Sequence, residues 1–379
     1  MKIKFLTTKL NLLDGGGSNT NTDLKARTLI GEGHEVSVIT LFSKHNKIPE
    51  ETPYEIIEEH LQTSNCFPLR KSVCGILKKY ERDTDIFHID GHMYIWAAGL
   101  YLKRGGKAKI IAHFDNYMPT MSIHNAGKLS LRTKIATKIL RLWELSTGLR
   151  QANLVNKMTC ASETTLKIYA GHGFDRTKMQ IIPAFVDMGR LLELKKEKND
   201  KFTLLYVGRL HPDKGLDTLI IAIKDLDVMV SIVGEGEDKK KLKELATTLN
   251  IRNKVNFYSW KGAEELKYFY KSADIFIHPA IWPEPFGMAV VEAMAAGVPV
   301  ITTKNTGSAE VVGSTGLFFE KGNHKELKKN IETFYNSPTL LQKLSKQAKK
   351  RAQNFDCKHS NQVFEQLIEE LNSKGSSEE

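Results

Sequence analysis

Two acidic residues, Glu284 and Glu292, stand at either side of the start of a strongly apolar helix. The helix is predicted to begin at about Met288, so the Glu292 carboxylate is expected to be buried and to need a hydrogen-bond donor. Glu284 precedes the helix, beside the free N–H groups of its first turn. Such a pair can hold hydroxyl groups at two ends of one ligand, and a phosphate between them would face the helix N-terminus. A helix cap combined with a buried ion pair is the structural alternative.

Two cations, Arg209 and Lys214, form a second group, in a tight turn after the predicted strand Thr203–Val207. At the carboxyl end of a strand they could neutralise the charge of a leaving diphosphate. Transfer from a nucleotide-activated donor needs such neutralisation. Taken alone, the spacing is more typical of a surface turn with two solvated cations. The assignment therefore depends on the neighbouring motifs.

Three consecutive glycines, Gly15 to Gly17, follow the predicted strand Ile3–Leu6 and precede a predicted helix near Asn21–Ile30. Glycines let the backbone approach a ligand closely, and the helix N-terminus offers free N–H groups, so the combination favours a phosphate. The loop is neither the GxGxxG dinucleotide fingerprint nor a Walker motif with its Lys-Ser/Thr pair. A flexible turn is the alternative.

Short apolar runs alternate with longer helical patterns, which predicts α/β domains whose parallel sheets are covered on both faces. We expect two doubly wound, Rossmann-like domains facing each other across a cleft, with ligands beyond the carboxyl ends of the strands. The first set of predicted strands is Ile3–Leu6, Val36–Leu41, Ile86–Ile89, Lys109–Ala112, Lys157–Ala161 and Gln180–Ile182. The second set is Thr203–Val207, Val228–Val233, Lys254–Tyr258, Ile275–His278, Val300–Thr302 and Gly316–Phe318.

The predicted domain organisation follows from these two sets. Residues 1–190 form the first domain, and residues 191–201, rich in Lys and Glu, form an interdomain linker. Residues 202–352 form the second domain. Residues 353–379 contain a C-terminal helix that could cross back to the first domain, followed by a disordered tail from Ser373.

Composition describes a globular, water-soluble chain of 379 residues, of which 41% are hydrophobic and 26% charged. No apolar run approaches the ~20 residues of a membrane-spanning helix. The segment Met1–Leu10 has too short an apolar stretch for a secretory signal and predicts a strand. The four cysteines have no CxxC spacing, which argues against a disulfide framework or a zinc site and suits a reducing cytoplasm.

The net charge of +11 is concentrated between His60 and Arg150, where 15 Lys and Arg face 6 Asp and Glu. This asymmetry indicates either an anionic partner, such as phosphate, lipid headgroups or nucleic acid, or a solvated basic surface. Nucleic acid is disfavoured because aromatic residues do not alternate with Arg and Lys on the predicted strands.

A basic helix predicted over Lys128–Arg150 could lie on an anionic membrane. Packing of its apolar side on the first domain is the preferred interpretation, because Lys138 interrupts that side. The apolar side consists of Leu131, Ile135, Ile139 and Leu142.

Taken together, these segments resemble the retaining glycosyltransferases of the GT-B fold, in the large family 4. The resemblance covers about residues 2–327 and is most specific in the second half. Its landmarks there are Val207-Gly208-Arg209, Lys214-Gly215, Val233-Gly234-Glu235-Gly236, Ser272-Ala273-Asp274, Glu284 through Pro299, and Thr306-Gly307-Ser308-Ala309-Glu310 before Gly316-Leu317. The first half matches through the glycine loop, His88 and His113.

What the resemblance implies for the site can be stated residue by residue. Glu284 would hold hydroxyls of the donor sugar and Glu292 the ribose, while Arg209 and Lys214 would bind the diphosphate. His113 would face the reacting sugar. With His113, the residues Arg209, Lys214 and Glu284 are the candidate catalytic group.

Further donor-binding roles are also implied by the resemblance. Gly287 and Met288 would offer backbone N–H groups. Gly16 and Gly17 would close over the donor from the opposite domain. The remaining candidates for donor binding are Glu235 and Phe286.

The activity implied is transfer of a hexosyl unit from a nucleoside diphosphate sugar to a glycan, lipid-linked or small-molecule acceptor, with retention of configuration. No metal and no protein nucleophile would be needed, because the leaving phosphate would help deprotonate the acceptor. Asp83-Thr84-Asp85 has the metal-binding DxD form of a differently folded class, but it starts a strand rather than ending one, so it is rejected. A nucleotide-sugar epimerase or a sugar phosphorylase of the same fold is the alternative, followed by a basic nucleic-acid-binding protein.

Overall fold

The structure, a computed structural model, describes residues 1–13, 15–91, 94–117, 138–197 and 199–373. The chain divides into two compact units. The first unit comprises Met1–Phe185 together with Lys358–Glu379, and the second comprises Val186–Cys357. Residues 374–379, in the tail expected to be disordered, lie outside the described part.

The first unit contains a parallel sheet. Its strands are β1 (Lys2–Thr7), β2 (Glu35–Thr40), β3 (Glu55–Glu58), β4 (Ile86–Asp90), β5 (Lys109–Phe114), β6 (Lys157–Cys160) and β7 (Met179–Ile181). In the described residues these strands form one seven-stranded sheet in the order β3-β2-β1-β4-β5-β6-β7, paired in parallel. Because β1 lies between β2 and β4, the chain progresses in opposite directions on the two sides of β1, and a switch point lies between β1 and β4.

The predicted strands of this unit are all present, but β3 was not predicted. Its sequence, Glu-Ile-Ile-Glu, lies at the sheet edge with both glutamates exposed and both isoleucines only partly buried. A short edge strand with charged ends lacks the continuous apolar run by which the buried strands were recognised.

Five α-helices of the first unit have both ends in the described residues before the chain enters the second unit. They are α1 (Gly17–Gly31), α2 (Cys66–Tyr80), α3 (Ile95–Lys103), α4 (Leu149–Ala152) and α5 (Glu163–Gly171). Residues 138–143 are also helical and continue through a π-helical turn, Glu144–Gly148, into α4.

The predicted helix over residues 128–150 is described only from residue 138, so Leu131 and Ile135 lie outside the described residues. Ile139 is 57% exposed and Leu142 is 64% exposed, so these two side chains do not pack on the first unit as expected. Trp143 is the side chain that faces the unit, and its ring meets that of Trp96 edge to face at a centroid distance of 5.2 Å.

The second unit repeats the architecture of a parallel sheet between helices. Its strands are β8 (Thr203–Val207), β9 (Met229–Val233), β10 (Val255–Tyr258), β11 (Ile275–His278), β12 (Val300–Thr303) and β13 (Leu317–Phe319). The described strands are ordered β10-β9-β8-β11-β12-β13, again in parallel. Here the switch point lies between β8 and β11. All of these strands correspond to predicted ones.

Apolar faces of the helices cover this sheet. The helices are α6 (Gly189–Leu192), α7 (Leu216–Ala222), α8 (Lys239–Thr248), α9 (Ala263–Ser272), α10 (Met288–Ala295), α11 (Gly307–Val312), α12 (His324–Asn336) and α13 (Pro338–Ala352). One hydrophobic core joins strand residues such as Ile232 and Ile277 to helix residues such as Leu219, Leu242 and Ile331. Burial of these residues supplies the main favourable term in folding.

The predicted linker, residues 191–201, lies within the second unit. The Lys196 ammonium donates to the carbonyl oxygen of Tyr270 at 3.1 Å, and the backbone N–H of Glu197 donates to that of Lys271 at 3.1 Å. Because these contacts satisfy carbonyls at the end of α9, the segment is packed rather than extended between the units. Burial lowers the pKa of Lys196 to about 8.

The last helix, α14 (Cys357–Ser373), belongs to the first unit from Lys358 onward. Its buried face includes Phe364, whose ring meets the fully buried ring of His88 at a centroid distance of 5.4 Å. His88 is therefore a core residue.

The rejected Asp83-Thr84-Asp85 motif lies at the amino end of the sheet. Asp83 pairs with the Lys2 ammonium, and the Asp85 carboxylate accepts the backbone N–H of Lys2 at 2.8 Å. These acids secure the start of β1, at the edge opposite to that where ligand loops lie.

Candidate functional site

The candidate site of the second unit lies at its switch point, where the loops after β8 and β11 meet. The backbone N–H of Ile281 donates to the carbonyl oxygen of Asp213 at 2.9 Å, joining the two loops. Gly215 has φ 62°, and a Cβ atom there would lie 2.3 Å from the carbonyl oxygen of Pro279. This close approach requires glycine, and it places the Lys214 turn against the loop that carries Glu284.

Glu284 and Lys214 form a nearly buried ion pair, with side chains only 13% and 14% exposed. The same carboxylate oxygen of Glu284, Oε2, also accepts the indole N–H of Trp282 at 2.8 Å. The Lys214 ammonium lies 5.1 Å from the centre of the Trp282 ring, a cation–π arrangement. No residue in the described part of the chain hydrogen-bonds to the other oxygen, Oε1.

Electrostatics keep Glu284 ionised. Burial by itself would raise the pKa of its carboxyl, but the Lys214 ammonium, together with the Trp282 indole N–H, outweighs burial and holds the pKa below its ordinary value. His278 Nε2 lies 3.8 Å from Oε2, and burial lowers the pKa of His278 to about 4, so this imidazole is neutral at pH 7. Glu284 is thus a charged acceptor with one oxygen available to a ligand.

Arg209 follows β8 on the same edge of the sheet. Its side chain is exposed, and within the residues that the structure describes its guanidinium has neither a hydrogen bond nor an ion pair. Its backbone is held instead, because the buried Tyr206 hydroxyl donates to the Arg209 carbonyl oxygen at 2.9 Å. A fixed backbone with an uncommitted guanidinium suits the binding of a mobile anion.

Glu292 has a protein partner that the sequence did not identify. The hydroxyl of Tyr270, on α9, donates to Glu292 Oε2 at 2.6 Å. Burial raises the pKa of Glu292, and the Tyr270 hydroxyl opposes that rise only in part. The sequence contained one signal for this contact. Tyr270 lies in an amphipathic helix, and the hydroxyl of a buried tyrosine needs a polar partner. The second carboxylate oxygen remains without a hydrogen bond in the described residues.

The N-terminus of α10 lies between the two glutamates in sequence. Gly287, its N-cap, has φ 92°, and no side chain caps the helix. Gly287, Met288 and Ala289 are all partly exposed, so the first backbone N–H groups are open to an anion. Phe286 is only 4% exposed and packs edge to face on Phe355, so its ring anchors the loop.

Glu235 lies in a glycine-flanked loop after β9. Its side chain is 51% exposed and pairs with Lys239 at 2.6 Å, while its carbonyl oxygen accepts the N–H of Leu210 at 2.8 Å. The loop is therefore attached to the residue next to Arg209. The carboxylate itself is committed to a surface ion pair.

Gly16, Gly17 and His113 belong to the first unit. Gly16 is the exposed N-cap of α1 and Gly17 its first residue. A Cβ atom at Gly16 would meet nothing within 4 Å, whereas one at Gly15 would lie 1.9 Å from the Asn11 carbonyl oxygen, so Gly15 is the glycine that the loop fold requires. His113, at the end of β5, is 3% exposed and pairs through Nδ1 with the Thr159 hydroxyl at 2.9 Å.

No group of three or more potential metal-ligating side chains occurs among the residues that the structure describes.

Burial lowers the pKa of His113 well below its ordinary value, so its imidazole is neutral at pH 7.

We predict that Glu292→Gln stabilises the protein at neutral pH, by ~0.5–2 kcal/mol. Burial raises the pKa of Glu292 in the folded state, so the charged carboxylate costs stability above that raised pKa. As pH falls toward the ordinary glutamate value the wild-type residue becomes protonated, and the advantage of glutamine should vanish. Thermal unfolding between pH 4 and neutrality, compared with that of Glu369→Gln at an exposed position of α14, measures this. A constant difference across the pH range would contradict it.

Both halves of the chain match known protein families. The family described as Glycosyltransferase Family 4 matches residues 15–190, and the family described as Glycosyl transferases group 1 matches residues 191–351. An uncharacterized glycosyltransferase of Haemophilus influenzae is 25% identical over 95% of this chain and 96% of its own length.

Solved structures show the same fold. Sucrose-phosphate synthase from Thermosynechococcus elongatus has a TM-score of 0.81 at 18% identity, covering 98% of this chain and 99% of its own. Anabaena HepE in complex with UDP and glucose has a TM-score of 0.76 at 19% identity, covering 97% and 99%. The two family matches, which together span both units, and these folds lead to one conclusion: the chain is a glycosyltransferase of the GT-B fold.

Proposed function

We propose that this enzyme transfers a hexosyl unit from a nucleoside diphosphate sugar to a glycan, lipid-linked or small-molecule acceptor, with retention of anomeric configuration. The observation that carries the proposal is Glu284, an ionised and nearly buried carboxylate with one oxygen held by Lys214 and Trp282 and the other uncommitted. Lys214 and Trp282 offset the cost of burying this charge, so the uncommitted oxygen is a charged acceptor already held in place for a ligand donor. Sugar hydroxyls are suitable donors to the open oxygen.

The donor would be held by three features of the second unit. Glu284 accepts hydrogen bonds from hydroxyls of the sugar, and Glu292 accepts them from the ribose through the oxygen that Tyr270 leaves open. The diphosphate faces the uncapped N-terminus of α10.

The chemical step then depends mainly on charge. The bond between the anomeric carbon and the diphosphate oxygen breaks, and its electron pair leaves with the diphosphate. The acceptor oxygen bonds to the anomeric carbon on the same face, and its proton passes to the departing phosphate. Arg209 and Lys214 stabilise the negative charge that develops, which lowers the barrier because this charge is greater in the transition state than in the bound donor.

No metal takes part in the proposed step, and no protein carboxylate acts as nucleophile. The positive charge that a metal would supply comes from Arg209, Lys214 and the α10 N-terminus. Glu284 is restrained on one oxygen by an ammonium and an indole N–H, which reduces its nucleophilicity and suits a binding role. UDP-glucose is the first donor to test, since the Anabaena neighbour was solved with UDP and glucose.

Substitutions at the two ends of the proposed donor site should separate binding from chemistry. Glu292→Ala should weaken donor affinity by roughly tenfold or more, because hydrogen bonds to a charged group contribute ~1.5–3 kcal/mol. Arg209→Ala should mainly lower turnover, by roughly a hundredfold, since its interaction strengthens in the transition state. Calorimetric titration and initial rates with UDP-, GDP- and ADP-sugars, in the presence of EDTA, measure the two effects.

Lys240→Ala is the matched control, because that ammonium is 90% exposed on the same unit and should be without effect. The proposal fails if no nucleoside diphosphate sugar raises the melting temperature of the pure protein. Transfer that stops in EDTA and returns with added Mg²⁺ would contradict the metal-independent step.

The stereochemistry of the product gives an independent test. With an α-linked donor of gluco or galacto configuration, the first product formed should carry the α configuration, seen by proton NMR as a small coupling between the anomeric proton and H2. Attack from the opposite face would give the β product and contradict same-face transfer, while leaving donor binding intact.

We further propose that the first unit contacts anionic membranes peripherally. No helix in the described ranges is long and apolar enough to cross a bilayer. Ile139, Leu142 and Leu145 are each more than half exposed on one helical stretch, and the exposed Lys138 and Arg141 lie on the same stretch. Exposed aliphatic side chains beside cations fit the boundary between acyl chains and anionic headgroups.

Vesicles of phosphatidylcholine with phosphatidylglycerol should co-sediment the protein at low salt, and raised salt should weaken the binding. Replacing Ile139 and Leu142 together by Gln should weaken binding by at least roughly tenfold, because two inserted aliphatic side chains are lost. Tyr268→Gln is the control, since Tyr268 is 71% exposed on the second unit. Sedimentation that is absent, or unaffected by the double substitution, would refute membrane contact.

A further inference from the structure

Tyr270, in α9, has a buried side chain that connects two helices of the second unit. Only 1% of the residue is exposed, and its hydroxyl donates to Glu292 Oε2, in α10, at 2.6 Å. The two residues are 22 positions apart in the sequence, so the contact depends on how the two helices pack. Because a buried phenol and a buried carboxylate oxygen both need polar partners, each side chain satisfies the other.

The ring of Tyr270 is held in place by the core. It meets the ring of Phe276, in β11, at a centroid distance of 6.3 Å, and Phe276 is itself fully buried. A ring enclosed by close-packed neighbours has little freedom to turn. The hydroxyl of Tyr270 is therefore kept at one position relative to α10.

The backbone at the end of α9 is held by the segment that precedes β8. Four consecutive carbonyl oxygens, which an isolated helix would leave without partners, accept hydrogen bonds from this segment. The donors are the Lys196 ammonium, the backbone N–H of Glu197 and the Asn199 amide, and the acceptors are the carbonyls of Tyr270, Lys271, Ser272 and Ala273. Residues 191–201, predicted as a linker, thus secure the helix end that carries Tyr270.

The Ser272-Ala273-Asp274 motif strengthens the same attachment. The Asp274 carboxylate accepts the backbone N–H of Thr203 at 2.7 Å, and the backbone N–H of Asp274 donates to the Thr203 carbonyl oxygen at 2.8 Å. These two bonds attach the chain after α9 to the start of β8. Tyr270 is therefore fixed at its ring by the core and at its backbone by the neighbouring segments.

Glu292 keeps one oxygen for a ligand. The residue is partly exposed, and its Oε1 retains accessible surface and has no hydrogen bond in the described residues. Burial raises the pKa of the carboxyl, and the Tyr270 hydroxyl opposes that rise, so the hydroxyl favours the ionised form. A carboxylate with one oxygen held by a fixed donor presents the other oxygen in one orientation.

We propose that Tyr270 is a positioning residue for the donor, whose hydroxyl orients Glu292 so that Oε1 accepts a hydrogen bond from a ribose hydroxyl. The inference rests on the proposed function, in which Glu292 binds the ribose. It adds a residue to that site, and it makes ribose selectivity depend on a phenol that is itself almost wholly buried. Such support from behind is what keeps a binding group in its productive geometry.

The test is the preference of the full chain for a ribonucleoside diphosphate over its 2′,3′-dideoxy form. Calorimetric titration uses UDP, GDP and ADP, and then the dideoxy form of the nucleotide that binds most tightly. The wild-type protein should prefer the ribose form by roughly tenfold or more, because the dideoxy form has no hydroxyl for Glu292.

Tyr270→Phe should reduce this preference by roughly threefold to tenfold, because Glu292 loses the donor that orients it. Affinity for the dideoxy form should stay unchanged, since that form makes no bond to Glu292. The substitution keeps the ring and its packing on Phe276, so the protein should fold. In a Glu292→Ala protein, Tyr270→Phe should change the preference no further, because its effect passes through Glu292.

Tyr101→Phe is the matched control. Tyr101 is 1% exposed, and its hydroxyl donates to Glu81 Oε1 at 2.7 Å in the first unit. This variant loses the same kind of tyrosine–glutamate hydrogen bond and should leave the ribose preference unchanged.

A structural role alone for Tyr270 would weaken both nucleotide forms equally, and that result would overturn the inference. An unchanged preference in Tyr270→Phe, or an equal loss in Tyr101→Phe, would overturn it as well. If no nucleoside diphosphate binds the wild-type protein, the donor proposal and this inference fail together. If nucleotides bind and Glu292→Ala weakens them, but Tyr270→Phe keeps the wild-type preference, this inference alone fails.

Discussion

The second unit depends on one electrostatic constraint, which is that Glu284 remains ionised although little of it reaches water. The Lys214 ammonium and the Trp282 indole N–H both bind the same oxygen, so they offset the loss of hydration and also fix the carboxylate in one orientation. Because the Oε2 oxygen is held, the position of the Oε1 oxygen is fixed as well, although no described residue hydrogen-bonds to it. Such preorganisation favours ligand binding, because no binding energy is lost in ordering a carboxylate that is already in position.

The backbone around this pair is arranged to make it possible. Gly215 permits the Lys214 turn to approach Pro279, and the positive φ of Gly287 starts α10 without a capping side chain. Both features follow from the switch point between β8 and β11, where successive loops diverge and leave room between them. Acid, cations and free N–H groups are thereby collected from parts of the chain far apart in sequence.

The first unit uses the same sheet topology for a different balance of charge. Its switch point carries Asp90 and Asp115, and the buried Lys25 interacts electrostatically with both carboxyls. The second unit presents the exposed guanidinium of Arg209 at its switch point, whereas the first unit presents the carboxyls of Asp90 and Asp115. The same architecture thus presents different groups in the two units, because the side chains at the strand ends rather than the fold decide the chemistry.

The sequence by itself determined the sheets, because apolar runs identify buried parallel strands. It also supplied the candidate site residues Glu284, Glu292, Arg209 and Lys214, which lie in short motifs next to those strands. Only the tertiary structure decided which residues contact one another. Tyr270 hydrogen-bonds to Glu292, and Phe286 is buried against Phe355. The structure also showed that Gly15 is the constrained glycine of its loop. It also showed β3 at the sheet edge. Local patterns report the periodicity and burial of a segment, whereas a buried charge or phenol is satisfied by whichever residue the fold brings near it, and that proximity is not encoded in local sequence.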